Sequence, residues 1–188
     1  MITINVPAQA IRAAQSCAAK QDVRYYLNGV YLSKSGQVVG TNGHTLYVAD
    51  CDFELPGVAL ISIDGAIPKS AQDCKVHFID ENFILVECYN SKDALIKRLP
   101  ATYSDMCSRN QNGYIDYSTV IPTTEPVPTA KIGINPKYLK LIEKIYPSNY
   151  HGVAIEMRGD SKPIIIKPSR TYGDGLQAEQ LLIMPTRL

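Results

Sequence analysis

No stretch of this sequence stays apolar for the ~20 consecutive residues a membrane helix needs, and its opening MITINVPAQA lacks a basic segment followed by an apolar one. Both absences point to a cytosolic protein with no membrane partner. No Cys-x-x-Cys pair occurs among the five cysteines, Cys17, Cys51, Cys74, Cys88 and Cys107, so neither a zinc ligand set nor thiol exchange is indicated and they read as buried thiols. Charge of one sign is scarce too. A net charge of +1 argues against indiscriminate binding to nucleic acid, although a balanced total can hide a local basic stripe.

Catalytic motifs are equally scarce. His44 follows Gly43 but has no Gly-x-Ser-x-Gly and no acidic partner at a telling spacing, so it reads as a turn histidine or part of a binding wall. His77 and His151 are isolated and form no zinc pattern. Asp50 and Asp52 flank Cys51, and Asp80-Glu81 falls at a hairpin turn; neither pair lies in an acid–base or magnesium motif. Gly173-Asp174-Gly175 has no strand-to-helix setting for a phosphate loop. The expectation is a protein without cofactor, metal or enzymatic activity.

What is present is ordinary globular composition, 45% apolar and 20% charged. A chain of 188 residues buries roughly 70% of its unfolded surface, enough for one sizeable core or two small ones. Local patterns divide it into repeated units. A strand over Ile2 to Val6 leads through Pro7 into a helix to Lys20, with Ile11, Ala14 and Ala18 on one face and Gln9, Arg12, Ser16 and Lys20 on a polar one. Strands are expected over Val23 to Leu32, Gln37 to Thr41 and Thr45 to Ala49, with a turn over Ser33 to Gly36. On a strand, one ring of Tyr25-Tyr26 would face the core and the other the surface.

Near the end, a strand over Lys131 to Ile134 meets Asn135-Pro136, an N-cap followed by proline at the first helical position. The helix runs to about Tyr146, with Tyr138, Ile142 and Ile145 toward the core and Lys137, Lys140 and Lys144 opposite. Strands follow over Gly152 to Met157, Pro163 to Lys167 and Glu179 to Met184. Both ends of the chain therefore read β-α-β-β-β. Between them, Val58 to Ile63, Cys74 to Ile79, Phe83 to Cys88 and Ala94 to Leu99 read as strands, while Gly65 and Pro68 break any helix over Asp64 to Ala71. Pro100 to Gly113 reads as irregular and Pro122 to Pro128 as an extended linker. The fold class is α+β, with about three units, the middle one with a reduced helix.

Four segments, in order, resemble signatures of the bacterial DNA polymerase III beta sliding clamp family. They are QDVRYYLNG from Gln21 to Gly29, TNGHTL from Thr41 to Leu46, the connector-like GYIDYSTVIP from Gly113 to Pro122, and MPTRL from Met184 to Leu188. The resemblance implies a DNA-clamp-like fold. Residues 1–122 correspond to a complete middle domain of two units, 123–129 to a linker, and 130–188 to the second half of the last domain. It also implies a cleft for short linear peptides that carry a glutamine and paired apolar anchors. One wall would be Leu27, Thr41, Gly43, His44 and Leu46, the connector would add Val120, and the other wall would be Asn135, Tyr138, Leu182, Met184, Pro185, Arg187 and Leu188. Departures from the family's usual residues at Asn42, Thr45 and Thr186 imply a different peptide preference.

Arg12, Lys20, Lys137, Lys140 and Lys144 lie on the helices that the family turns toward duplex DNA; the lysine stripe reads either as a solvated face or as phosphate-contacting. The leading expectation is a replication accessory protein that binds the clamp-binding peptides of polymerases and related partners and encircles DNA as a homo-oligomer. The rival expectation is a peptide-binding regulator that forms no ring and competes with a host clamp. Such economy suits a phage, prophage or plasmid.

Overall fold

The computed structural model describes residues 2–80, 83–104, 116–146, 152–169 and 176–187. The chain opens with β1 (Ile2–Pro7) and α1 (Ala8–Cys17), followed by β2 (Val30–Leu32), β3 (Gln37–Thr41) and β4 (Thr45–Cys51). The middle unit is β5 (Ala59–Ile63), β6 (Asp73–Phe78), β7 (Phe83–Tyr89) and β8 (Leu95–Ser104). The last comprises α2 (Pro136–Ile145), β9 (Val153–Glu156), β10 (Ile164–Pro168) and β11 (Leu176–Ile183). All pairings are antiparallel in one 11-stranded sheet of order β1-β6-β7-β8-β5-β2-β3-β4-β11-β10-β9.

Alternation along the strands sorts side chains onto two faces. On the helix side, Tyr47, Ala49, Leu181, Ile183, Ile164 and Ile166 join the main core. On the other side, Leu46, Val48, Leu182 and Ile165 form a second cluster with Tyr31, Val39 and Leu60. Small side chains set the fit of α1: Ala8, Ala10, Ala13 and Ala14 are buried against the sheet, and a Cβ on Gly40 of β3 would stand 2.0 Å from the Ala14 carbonyl oxygen. Helix α2 has the expected cap, the Asn135 side chain accepting the Lys137 N–H at 3.0 Å with Pro136 at its start.

Several local expectations yield to tertiary structure. Helix α1 ends at Cys17, so Lys20 lies beyond it. There the chain reverses through Gln21 (φ 56), and the Asn28 amide clasps Asp22, accepting its N–H at 2.8 Å and donating to its carbonyl at 2.7 Å. The polar face of α1 is not solvated throughout. Gln9 is buried, and its amide donates to the Ile145 carbonyl of α2.

Of the strand expected over Val23 to Leu32, only Val30–Leu32 pairs; Tyr25–Leu27 is a single 3-10 turn. Its two tyrosines meet edge-on, with Tyr25 exposed and Tyr26 resting on the second cluster. Lys131 to Ile134 contributes only a bridge, Gly133 to Thr186. Residues 64–72 hold no helix, only a turn closed by Ala71 N–H to the Pro68 carbonyl at 3.1 Å. Strand β8 runs through Pro100, pairing with β7 on one edge over Leu95 to Thr102 and with β5 on the other from Ala101, and the Pro100 carbonyl accepts the Asp64 N–H at 2.9 Å. Of the irregular segment expected over Pro100 to Gly113, residues 105–113 lie outside the described residues.

Cys17, Cys51, Cys74 and Cys88 are buried free thiols, and burial pushes Cys17 and Cys51 up to about 12. Cys107, His151 and Gly173-Asp174-Gly175 fall outside the described residues.

Candidate peptide cleft and basic face

The β3–β4 turn is built by its own side chains. Asn42 Oδ1 accepts the N–H groups of His44 and Thr45, each at 2.9 Å, and Thr41 Oγ1 donates to the Thr45 carbonyl at 2.7 Å while accepting the Gly43 N–H at 3.1 Å. Gly43 sits at φ +85, where a side chain is strained. An amide oxygen accepts these bonds as a carboxylate would, so Asn42 suits the turn. Beside it lies the Arg24–Asp22 pair at 2.8 Å, whose hydrogen bonds hold the Asp22 carboxyl down to about 2.

Strand pairing then joins this turn to the C-terminal segment. Strand β11 lies against β4 with Leu182 opposite Leu46 and Ile183 opposite Thr45, and beyond it the Met184 N–H donates to the His44 carbonyl at 2.9 Å. The His44 ring stacks on Tyr138 of α2, with centroids 5.9 Å apart and planes 20° from parallel. A buried hydrogen bond at 2.7 Å from the Tyr47 hydroxyl to Glu179 adds to the same seam, and burial beside that carboxylate drives the tyrosine pKa well up.

Pairing, hydrogen bonding and ring stacking thus bring together Thr41, His44, Leu46, Tyr138, Leu182 and Met184, and the candidates differ in access. Leu27, Thr41, Leu46 and Leu182 are buried; Tyr138, Met184 and Pro185 are half-buried; Gly43, His44, Val120, Asn135 and Arg187 are exposed. Leu188 lies outside the described residues. Over the second cluster lie Tyr26, Tyr117 and Ile121, none of them named from sequence as a cleft residue. Tyr117 and Ile121 belong to the connector motif, so the signal was present, but an apolar pattern in an irregular segment does not reveal what it covers.

The cationic candidates lie around the helices. A cavity of about 900 Å³ on this side is lined by Arg12, Lys20 and Lys144 together with Lys69 and Glu143, and by none of the cleft residues. Lys69 carried no motif. Lys137 and Lys140 are exposed on α2. Arg12 is also tied into the fold: its guanidinium donates to the Pro68 carbonyl at 2.7 Å and to Gln9 at 2.9 Å. Helix α2 carries Tyr138, which stacks on His44, as well as the exposed Lys137 and Lys140, whereas Leu46 and Leu182 lie in the apolar cluster on the other face of the sheet.

His77, Asp50 and Asp80 each serve local structure. His77 hydrogen-bonds Thr3 at 3.0 Å and meets Glu87 at 3.3 Å, Asp50 accepts from Gln37 at 2.8 Å, and Asp80 accepts the Phe83 N–H at 2.8 Å. Among the described residues no group of three or more His, Cys, Asp or Glu side chains is placed to hold a metal ion, and no helix is long and apolar enough to cross a membrane.

No protein-family model matches this sequence, and no curated protein matches it. Solved structures do. A DNA polymerase sliding clamp from Pseudomonas aeruginosa superposes on the whole chain with a TM-score of 0.67 at 13% identity, 67% of that chain being covered. The beta subunit from DNA polymerase of Streptococcus pyogenes covers 100% of this chain and is itself covered over 66%, with a TM-score of 0.62 and 15% identity. DNA polymerase III subunit beta from Borrelia burgdorferi gives 0.66 at 13% identity, with 100% of this chain and 63% of that one covered. The chain spans about two thirds of the length of these clamps, and its fold is the sliding-clamp fold.

Proposed function

We propose that this chain is a clamp-like, non-enzymatic replication accessory protein whose cleft takes short linear peptides of polymerases and related partners. The observation that supports the reading is the β4–β11 pairing, with the Met184 N–H on the His44 carbonyl, which sets the Thr41 to Leu46 turn beside the end of β11 although they are far apart in sequence. An apolar floor of leucines, an adaptable methionine at the rim and a few fixed polar groups suit a peptide with paired apolar anchors. Residues 1–122 act as one clamp-like domain and 130–188 as a half domain, with 123–129 between them.

The basic helix side is proposed as the DNA face. Lys20, Lys69, Lys137, Lys140 and Lys144 would meet phosphates without reading bases, and a homo-oligomer would close around the duplex. A regulator that keeps the cleft but forms no ring is the second reading. It is favoured by residues 64–72, which hold no helix where the first and last units carry one. The native mass in solution separates the two: a particle of several copies supports the ring, a strict monomer the regulator.

Calorimetry with a peptide carrying a clamp-binding motif tests the cleft. Binding is expected, and Met184→Ala should weaken it by roughly 1–2 kcal/mol, typical for loss of an apolar anchor contact and about tenfold in Kd. A purified chain that binds no such peptide would remove both readings.

A further inference from the structure

The residues linking the first and last units are fastened at both ends. At one end the Tyr117 hydroxyl donates to the Gln37 side chain, its ring meets Tyr31 edge-on at 6.1 Å, and Ile121 packs on the outer apolar cluster. At the other end Arg158 Nη1 donates to the Thr124 carbonyl at 2.6 Å, the Val127 N–H donates to the Met157 carbonyl at 2.9 Å, and the Gly159 N–H donates to Thr129 Oγ1 at 3.3 Å. Val120, 38% exposed, stands at the first anchor, between Tyr117 and Ile121 and four residues before Thr124.

Arg158 is the fastening that calls for explanation. Its side chain is only 9% exposed, and a cation so placed has to be paired. One arm of the guanidinium meets Glu156 at 2.7 Å, a carboxylate that Lys167 also pairs at 3.0 Å. The other arm goes to a backbone carbonyl of the linking segment rather than to a second acid. The planar fork thereby ties that segment to the last unit, a geometry that a lysine does not reproduce.

We propose that residues 117–129 form a strap held between the first and last units, and that Arg158 is a positioning residue that fastens the far end of the strap carrying Val120 and so keeps it ordered for peptide binding. The proposal rests on the peptide-binding reading given above. Arg158 itself bonds to Thr124 and Glu156 and to no cleft residue, so it acts through the strap. A strap fastened in advance does not have to be ordered when a peptide arrives; an unfastened one does, and affinity falls accordingly.

The test uses the full chain, a fluorescent peptide carrying a glutamine and paired apolar anchors, and hydrogen exchange of the Val127 amide. Arg158→Ala should speed exchange at Val127 and weaken the peptide by about three- to tenfold, the cost of ordering a released segment. Tyr117→Phe, which loosens the opposite end by one hydroxyl, should weaken it in the same direction and guards against a failure of the first variant to fold. Glu156→Gln removes the ion pair but leaves the Arg158–Thr124 bond; it should lower thermal stability without changing peptide affinity. Three results overturn the strap. These are Val127 exchange unchanged in Arg158→Ala, exchange accelerated with affinity unchanged, and Glu156→Gln weakening the peptide as much as Arg158→Ala does. A wild-type chain that binds no peptide overturns the peptide-binding reading and the strap with it, whereas normal wild-type binding with an indifferent Arg158→Ala overturns the strap alone.

Discussion

Gly40 is the position where one added methyl group should do most damage. It lies on β3 opposite Tyr47, and a Cβ built there would stand 2.0, 2.6 and 2.7 Å from the carbonyl oxygen, carbonyl carbon and Cα of Ala14. All three atoms are backbone, so no side-chain rotation relieves the clash; α1 has to lift from the sheet along its row of alanines. Overpacking a core typically costs ~1–3 kcal/mol. Because the obstacle is helix backbone, Gly40→Ala belongs at the upper end, about 3 kcal/mol. For a chain of this length that corresponds to a Tm lower by about 6–12 °C. Gly57→Ala is the matched control, since nothing lies within 4 Å of its Cβ position; it should be neutral or slightly stabilising through the unfolded state. Thermal and urea unfolding of both variants measure the difference. A Gly40→Ala protein that melts within about 1 °C of wild type would refute the close seating of α1 on β3 and, with it, the placement of the basic face.

Two further outcomes are expected. Replacing Lys137, Lys140 and Lys144 with glutamine should flatten the salt dependence of duplex-DNA binding by about 2–3 units of log K per log salt, at ~0.9 per lost phosphate contact, while peptide binding stays unchanged; a salt-insensitive interaction that the substitutions do not alter would mean that the stripe is a solvated face. Hydrogen bonds from Tyr89, Arg98 and His77 hold the Glu87 carboxyl down to about 2 from its ordinary 4.5. Its contribution to stability is therefore present above the unfolded value and lost as pH falls from about 4.5 toward 2. Unfolding of wild type and Glu87→Gln should differ at pH 6 and converge toward pH 2, and a constant gap would count against the network.

The local elements were legible where a few neighbouring residues decide them. Asn135-Pro136 caps α2 because the side chain and ring satisfy the orphan N–H groups of that one turn. Strand β4 is readable because Thr45 to Cys51 carries side chains that suit both faces of a sheet, and 64–72 is not a helix because Gly65 and Pro68 oppose one. The motif segments were legible as well, which brought both walls of the candidate cleft into view. How accessible those walls are was not: Leu27, Leu46 and Leu182 are buried, and Leu46 and Leu182 lie in the cluster that Tyr117 and Ile121 cover.

What the sequence by itself determined was this set of short-range choices, because turn chemistry, capping and strand alternation operate over a handful of residues. What only the tertiary structure decided was everything that depends on partners distant in the chain. The Tyr47 hydroxyl finds Glu179 across 132 residues, Gln9 becomes a buried helix-to-helix donor across 136, and Arg158 ties down Thr124 across 34. Lys20 joins the basic cavity from a loop rather than from a helix face, since α1 ends at Cys17. Pro100 stays in a strand opposite Leu85 of β7, just before β5 joins the other edge of β8, and its carbonyl accepts the Asp64 N–H. Each of these contacts closes a loop whose entropic cost no local pattern reveals and which only the packed sheet repays.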